Sequence, residues 1–373
     1  MKSKAEHKIK LLILIPNLEC GGAERFASVL CDHINTNTFE VTLAVLNNKN
    51  PFFHITNTAV EVIDLKVKRV RKSLFAIHKL VKNQQPDIIF SLSNHLNLYM
   101  AIYRWLFPRD ISFIARESSI VSMNTKRTRF PALYTWLAKK FYHRFDVIIC
   151  QSRYMQDDLI RHFRIPPGKT RLIYNPLKEN NWTGISTVSK QKEKGVYTFI
   201  TVARLSEEKG IDRIIQGLAG LTLSYRFYII GDGNKKGELE GLISSLHLDD
   251  RIFLLGTKPD PFSGLEDADL FLMGSHYEGF PNVAAEAGAL GIPVIAFDVP
   301  GGTREVIVPK ENGLLVDDGD IVAFRAAIEL GLRLNLDRNS ISAFTKKRFP
   351  VQSAISELET LFREHSRRRN EEG

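Results

Sequence analysis

Cysteine is scarce in this chain of 373 residues: Cys20, Cys31 and Cys150 are the only three, an odd number without C-x-x-C spacing. That count argues against a disulfide framework or a cysteine-rich zinc site and fits a reducing compartment. Long hydrophobic runs are also missing. The longest stretch without a formal charge, Ile88 to Tyr103, contains Asn94, His95, Asn97 and two serines. It is shorter than the roughly 20 apolar residues a spanning helix needs. Lys2, Lys4, Lys8 and Lys10 precede the apolar run Leu11 to Pro16 in the manner of a secretory signal, and Leu18-Glu19-Cys20 follows it. The run is shorter than the roughly 7–15 residues of a signal's apolar region, and small residues for cleavage are missing, so a buried first strand is expected. No G-x-G-x-x-G and no Walker G-K-S/T ending occurs, which argues against NAD and ATP folds of the usual kind. Repeats at solenoid periods and low-complexity segments are absent too.

The composition is that of a globular protein, 44% hydrophobic and 25% charged, and the length suits two domains. Strand-length apolar runs alternate with helical patterns, the signature of parallel sheets covered by helices. In the first half these runs are Ile9 to Ile15, Val41 to Leu46, Ile88 to Leu92, Ser112 to Ala115, Val147 to Cys150 and Arg171 to Tyr174. In the second they are Tyr197 to Val202, Arg226 to Ile230, Ile252 to Leu255, Leu270 to Met273, Val294 to Phe297 and Gly313 to Val316. Between the sets, the polar stretch from Lys178 to Gly195 reads as a linker. The net charge of +9 is unevenly spread: residues 1–190 hold 29 basic against 14 acidic residues, and the remainder 22 against 28. A +15 half suits a polyanion, an anionic membrane or a pyrophosphate-linked acceptor.

Several strand ends carry candidate chemistry. Arg204 and Lys209 follow the strand ending at Val202, in the loop before a helix, where cations suit a diphosphate; a solvated loop pair is the plainer alternative. Gly231-Asp232-Gly233 follows another strand and lets backbone approach a ligand. After Met273 comes Gly274 to Glu286, in which Pro281 is placed to open a helix whose exposed amides form an anion site. Glu278 then lies in the loop and Glu286 on the second helical turn. The two are too far apart along the chain for a typical glycosidase pair, which discounts hydrolysis. Asp267-Ala268-Asp269 reads as ordinary turn chemistry rather than a metal motif. Gly21 and Gly22 join the first strand to a helix and could bring amides against a phosphate. Arg116 and Glu117 close a further strand.

Together the Gly21-Gly22-Ala23-Glu24-Arg25 loop, the Arg204 and Lys209 pair, the Gly231-Asp232-Gly233 turn and the E-x7-E run from Glu278 to Glu286 resemble glycosyltransferase family 4. These are retaining enzymes of GT-B fold, common in bacterial surface-polysaccharide and lipid-linked-glycan pathways. The likeness spans roughly residues 9–365 and implies two Rossmann-like α/β domains with parallel sheets facing a central cleft. It implies that Arg204 and Lys209 neutralise the diphosphate of a nucleotide sugar, and that Glu286 bonds the ribose and Glu278 the sugar hydroxyls. Gly279 and the amides near Phe280, Asn282 and Val283 would complete the donor pocket with Gly231, and Leu254, Leu255 and Gly256 would hold the base. Gly21 and Gly22 would let the acceptor domain close over the phosphates. Many relatives carry a histidine where this chain has Arg116-Glu117-Ser118, so Glu117, Arg116 or His95 would take that place.

The segment Lys126 to Phe145 interleaves Lys126, Arg127, Arg129, Lys139, Lys140 and Arg144 with Phe130, Leu133, Tyr134, Trp136, Leu137, Phe141, Tyr142 and Phe145. It fits either a helix lying in a membrane interface or one packed on its own sheet. Lys66, Lys68, Arg69, Arg71 and Lys72 form a second basic run, and Arg367, Arg368 and Arg369 a frayed tail. The expected organisation is an acceptor-binding domain at 1–180, a linker at 181–194 and a nucleotide-sugar domain at 195–345. A C-terminal helix at 346–373 would return toward the first domain. The expected activity is transfer of a hexose or N-acetylhexosamine from a UDP-sugar, without a metal. The acceptor would be a polyprenyl-pyrophosphate-linked or other lipid-linked glycan at the cytoplasmic face of the membrane. Alternatives are a sugar-nucleotide epimerase or hydrolase of the same fold, and a nucleic-acid-binding protein, for which no recognised motif is present.

Overall fold

The computed structural model describes residues 8–177 and 195–366. The expected linker 181–194, Lys2, Lys4 and the arginines 367–369 lie outside the described residues. The chain divides into two compact units: the described residues up to Pro176 together with those from Val351 onward, and those between Leu177 and Pro350.

The first unit is built on β1 (Ile9–Ile15), β2 (Phe39–Val45), β3 (Glu61–Asp64), β4 (Ile88–Ser91), β5 (Ser112–Arg116), β6 (Val147–Cys150) and β7 (Thr170–Leu172). They pair in the order β3-β2-β1-β4-β5-β6-β7, every neighbour parallel, with Ile9 beside Phe39 and Leu11 beside Ile88. Strands covered on both faces read as continuous apolar runs, which is why β1, β4 and β6 stand out in the sequence. The edge strand β3 does not: Glu61, Val62 and Asp64 are exposed, and two apolar residues make no pattern.

The second unit holds β8 (Tyr197–Val202), β9 (Tyr225–Ile230), β10 (Ile252–Gly256), β11 (Leu270–Met273), β12 (Val294–Asp298) and β13 (Gly313–Asp317) in the order β10-β9-β8-β11-β12-β13. All pairings are again parallel. Each sheet runs outward from its first strand in one direction and then reverses, the Rossmann-like order. The reversal opens a crevice at the carboxyl ends of the two strands flanking it, β1 and β4 in one unit and β8 and β11 in the other.

The helix Val351–Ser366 belongs to the first unit. Its apolar residues recur at Val351, Ala354, Ile355, Leu358, Leu361 and Phe362, a helical period, and all six enter the core of β1, β2 and β4. Phe362 meets Phe39 and Phe90 edge to face at 6.1 and 5.3 Å. Glu359 accepts the Asn35 N–H at 2.8 Å and the His365 carbonyl accepts the Ser112 hydroxyl at 2.8 Å. The preceding helix, Arg338–Arg348, stays with the second unit, where Ser342 donates to the Ala289 carbonyl at 2.6 Å. The division thus falls after this helix, beyond the expected 345.

Candidate active site

At the reversal point of the second sheet, the loops leaving β8 and β11 are stitched together. The His276 N–H donates to the Glu208 carbonyl at 2.9 Å. Gly210 (φ +52°) and Gly274 meet backbone to backbone, with no room for a Cβ on either. Across this seam Lys209 Nζ reaches Glu278 Oε1 at 2.7 Å, and the Ser275 hydroxyl donates to the same oxygen at 2.6 Å. Glu278 is buried and Lys209 is about a quarter exposed, 26%, so two donors fix one carboxylate oxygen at the edge of solvent. Arg204 is exposed, and its side chain makes no hydrogen bond or ion pair with the described residues.

The Glu278 backbone is held from its other side. Its N–H donates to the Pro300 carbonyl at 3.0 Å, and its carbonyl accepts from Gly302 at 3.1 Å. Gly301 between them has φ +118°, and a Cβ there would collide with the Glu278 carbonyl. Then follows the helix Asn282–Ala289, with Pro281 as its N-cap and no acidic residue in its first turn. The positive end of its dipole is therefore not offset by its own opening residues. The Asn282 N–H is already committed to the Phe280 carbonyl at 2.9 Å. Phe280 itself is buried edge-on against Phe349 at 5.2 Å, so it presents backbone rather than ring. Gly279 is buried beside it, while Val283 and Glu286 are half-buried on the helix.

Gly231 (φ +140°) donates to the Gly256 carbonyl at 2.9 Å and lies against the Ala203 carbonyl, where a side chain would not fit. This ties the ends of β9 and β10 to β8 and leaves Leu254 half-buried and Leu255 exposed beside them. The structure brings Arg204, Lys209, Gly231, Leu255, Glu278, Gly279, Phe280, Asn282, Val283 and Glu286 to the carboxyl edge of one sheet. Asp269 is taken up elsewhere: its carboxylate accepts the Thr198 N–H at 2.7 Å.

Gly21, Gly22, Arg116, Glu117 and His95 belong to the first unit, at the carboxyl edge of its own sheet. Gly21 caps the helix Gly22–His33, and the Glu24 carboxylate folds back over it. Arg116 and Glu117 are both fully buried, 0% exposed. The Arg116 guanidinium lies 3.8 Å above the Phe26 ring and donates to Asn175, while its Nε and Nη1 have no hydrogen-bond partner among the described residues. Burial lowers its pKa to about 9. Glu117 accepts from Asn97 at 2.8 Å through Oε1. Burial pushes its carboxyl up to about 7, against hydrogen bonding from Asn97 and Tyr142. His95 is exposed and packs edge-on against Tyr134 at 5.9 Å; the Tyr134 hydroxyl donates to the Asn94 carbonyl at 3.2 Å.

Three residues of the second-unit site carry no assigned role in the sequence: Ser275, within the Gly274 to Glu286 segment, Gly301 and Arg213. Pro300-Gly301-Gly302 after β12 offered a signal for the second, as glycines clustered after a strand mark a close backbone approach. Ser275, three positions before Glu278, was a weaker one. Arg213, which donates to the Gly274 and Ser275 carbonyls, left none.

Residues 20–180 match the family model for glycosyltransferase family 4, and residues 186–348 that for glycosyl transferases group 1. A relative from Campylobacter jejuni, N-acetylgalactosamine-N,N'-diacetylbacillosaminyl-diphospho-undecaprenol 4-alpha-N-acetylgalactosaminyltransferase, is 28% identical over 83% of this chain and 86% of its own length. The lipopolysaccharide 1,6-galactosyltransferase of Escherichia coli is 25% identical over 70% of each chain. Among solved structures, the lipopolysaccharide outer core galactosyltransferase WaaB in its apo form has a TM-score of 0.71 at 19% identity, covering 94% of this chain and 98% of its own. Anabaena HepE in complex with UDP and glucose reaches 0.75 at 21% identity, covering 95% and 99%. With two parallel Rossmann-like sheets and matches that run through both halves, the chain belongs to the group 1, family 4 glycosyltransferases of GT-B fold.

Proposed function

We propose that this enzyme moves a hexose or N-acetylhexosamine from a UDP-sugar to a lipid-linked glycan at the cytoplasmic face of the membrane, with retention at the anomeric carbon. The observation that carries the donor half of this reading is the Lys209–Glu278 pair at the β8/β11 reversal, with Arg204 exposed beside it. The leaving diphosphate gains charge as the glycosidic bond breaks, and cations at the strand end together with a helix N-terminus stabilise that charge. Arg204 and Lys209 are the cations in this account, the Asn282–Ala289 helix supplies the dipole, Glu278 meets the sugar and Glu286 the ribose. The Campylobacter relative, whose name places its acceptor on diphospho-undecaprenol, supports a lipid-linked acceptor; HepE, solved with UDP, supports the base.

The membrane side rests on Pro131–Phe141 and its surroundings. Ala138 alone within that helix is buried, while Phe130, Leu133 and Trp136 are 60%, 54% and 53% exposed. Lys140 stands 4.8 Å from the Trp136 ring and Arg129 5.4 Å from that of Phe130. Exposed aromatics flanked by cations suit an anionic interface. No helix among the described residues is long and apolar enough to cross a membrane.

A panel of UDP- and GDP-sugars, scored by transfer to a polyprenyl-pyrophosphate sugar, tests the proposal. A UDP-sugar is expected to be used, and use of GDP-sugars alone would refute the donor assignment.

A further inference from the structure

Arg213 sits on the helix Ile211–Ala219 among Ile211, Ile214, Ile215 and Leu218, and is only 8% exposed. A guanidinium in such surroundings loses most of its hydration, and an apolar side chain of similar volume is often at least as stabilising there. All three of its nitrogens are engaged. Nε and Nη2 donate to the Gly274 carbonyl at 2.9 and 2.6 Å, Nη2 also to the Ser275 carbonyl at 2.6 Å, and Nη1 pairs with Asp318 at 2.6 Å. The guanidinium lies 4.1 Å from the Phe297 ring, so it has the plane of β12 beneath it and the loops after β11 and β13 at its edges. Its own N–H donates to the Gly210 carbonyl at 3.1 Å, joining the Lys209 loop to the same knot.

We propose that Arg213 is a positioning residue for the donor-diphosphate site: it fixes the Gly274 and Ser275 carbonyls, and through that loop sets where Ser275 holds Glu278 and Glu278 in turn holds Lys209. A planar fork reaches both carbonyls and a carboxylate together, which an ammonium does not. The inference rests on the reading of Lys209 as a diphosphate ligand. Arg213 touches no substrate in it and acts through the loop.

UDP binding, measured by calorimetry alongside thermal midpoints, tests it with Arg213→Met, Arg213→Lys, Lys209→Met and the double variant Arg213→Met/Lys209→Met. Arg213→Met is expected to weaken UDP about tenfold and Arg213→Lys about threefold, while in the Lys209→Met background Arg213→Met adds less than about twofold, since coupled neighbours are not additive. A purely structural role would lower the midpoint yet leave the folded protein's UDP affinity intact, or would multiply in full with Lys209→Met; either result overturns the proposal. Should Arg213→Met not fold, Asp318→Asn at the half-exposed end of the pair takes its place. Unchanged UDP affinity in both Asp318→Asn and Arg213→Lys then overturns the proposal. Wild-type affinity in Lys209→Met alone overturns the site reading itself.

Discussion

Glu117 is a fully buried carboxyl group, and its chemistry follows from that. Its folded pKa of about 7 lies above the ordinary 4.5 because burial disfavours the charged form. Between those values the folded state holds a proton that the unfolded chain has released, so stability is full below 4.5 and declines as pH rises through about 7. Glu117→Gln keeps an acceptor for Asn97 and removes the titration. Thermal midpoints taken from pH 5 to 8 are expected to fall with pH in the wild type and to flatten in the variant, which becomes the more stable of the two at pH 8. A slope that survives the substitution would assign the titration elsewhere. Burial also separates Glu117 and Arg116 from Arg204: all three close a strand in the sequence, yet only Arg204 is exposed to solvent.

Among elements, the turns after β11 and β12 matter most, because each constrains the other. Gly301 adopts φ +118° against the Glu278 carbonyl, so Gly301→Ala meets both a left-handed backbone and a steric overlap. The expected outcome is a loss of at least about 1 kcal/mol of stability and weakened transfer from displacement of Glu278. Unfolding by denaturant and a transfer assay check the two parts separately. The strands themselves were legible because buried parallel strands leave largely apolar runs: β1, β6, β8 and β11 appear in the sequence with the bounds they have in the structure. β3 was not, since an exposed edge needs no such pattern. The candidate site was legible as a cluster of residues where its pattern is local, as in Lys209 or in Glu278 with the helix behind it. Arg213 was hidden because its partners Gly274, Ser275 and Asp318 are distant in sequence and because carbonyl acceptors carry no residue signature.

For the molecule as a whole, charge distinguishes the two halves: +15 over residues 1–190 and −6 over the rest. An anionic surface attracts the first half over a distance set by salt, with roughly 1 kcal/mol per lysine or arginine near the headgroups. Vesicles rich in phosphatidylglycerol are therefore expected to bind the protein, and phosphatidylcholine vesicles to bind it weakly. Lys139→Ala/Lys140→Ala would reduce cosedimentation about tenfold or more on that figure, and Trp136→Ala would weaken binding even at high salt. Equal binding to both vesicle types would remove the electrostatic part of the account. The proposed nucleotide site lies instead in the acidic half, where Arg204 and Lys209 follow β8 at the carboxyl edge of its sheet. Calorimetric titration of UDP into the wild type, Lys209→Ala and Glu286→Ala tests this most directly. The account predicts binding by the wild type and at least about a tenfold loss in each variant, as for removal of a charge-assisted contact; wild-type affinity in both variants would contradict it.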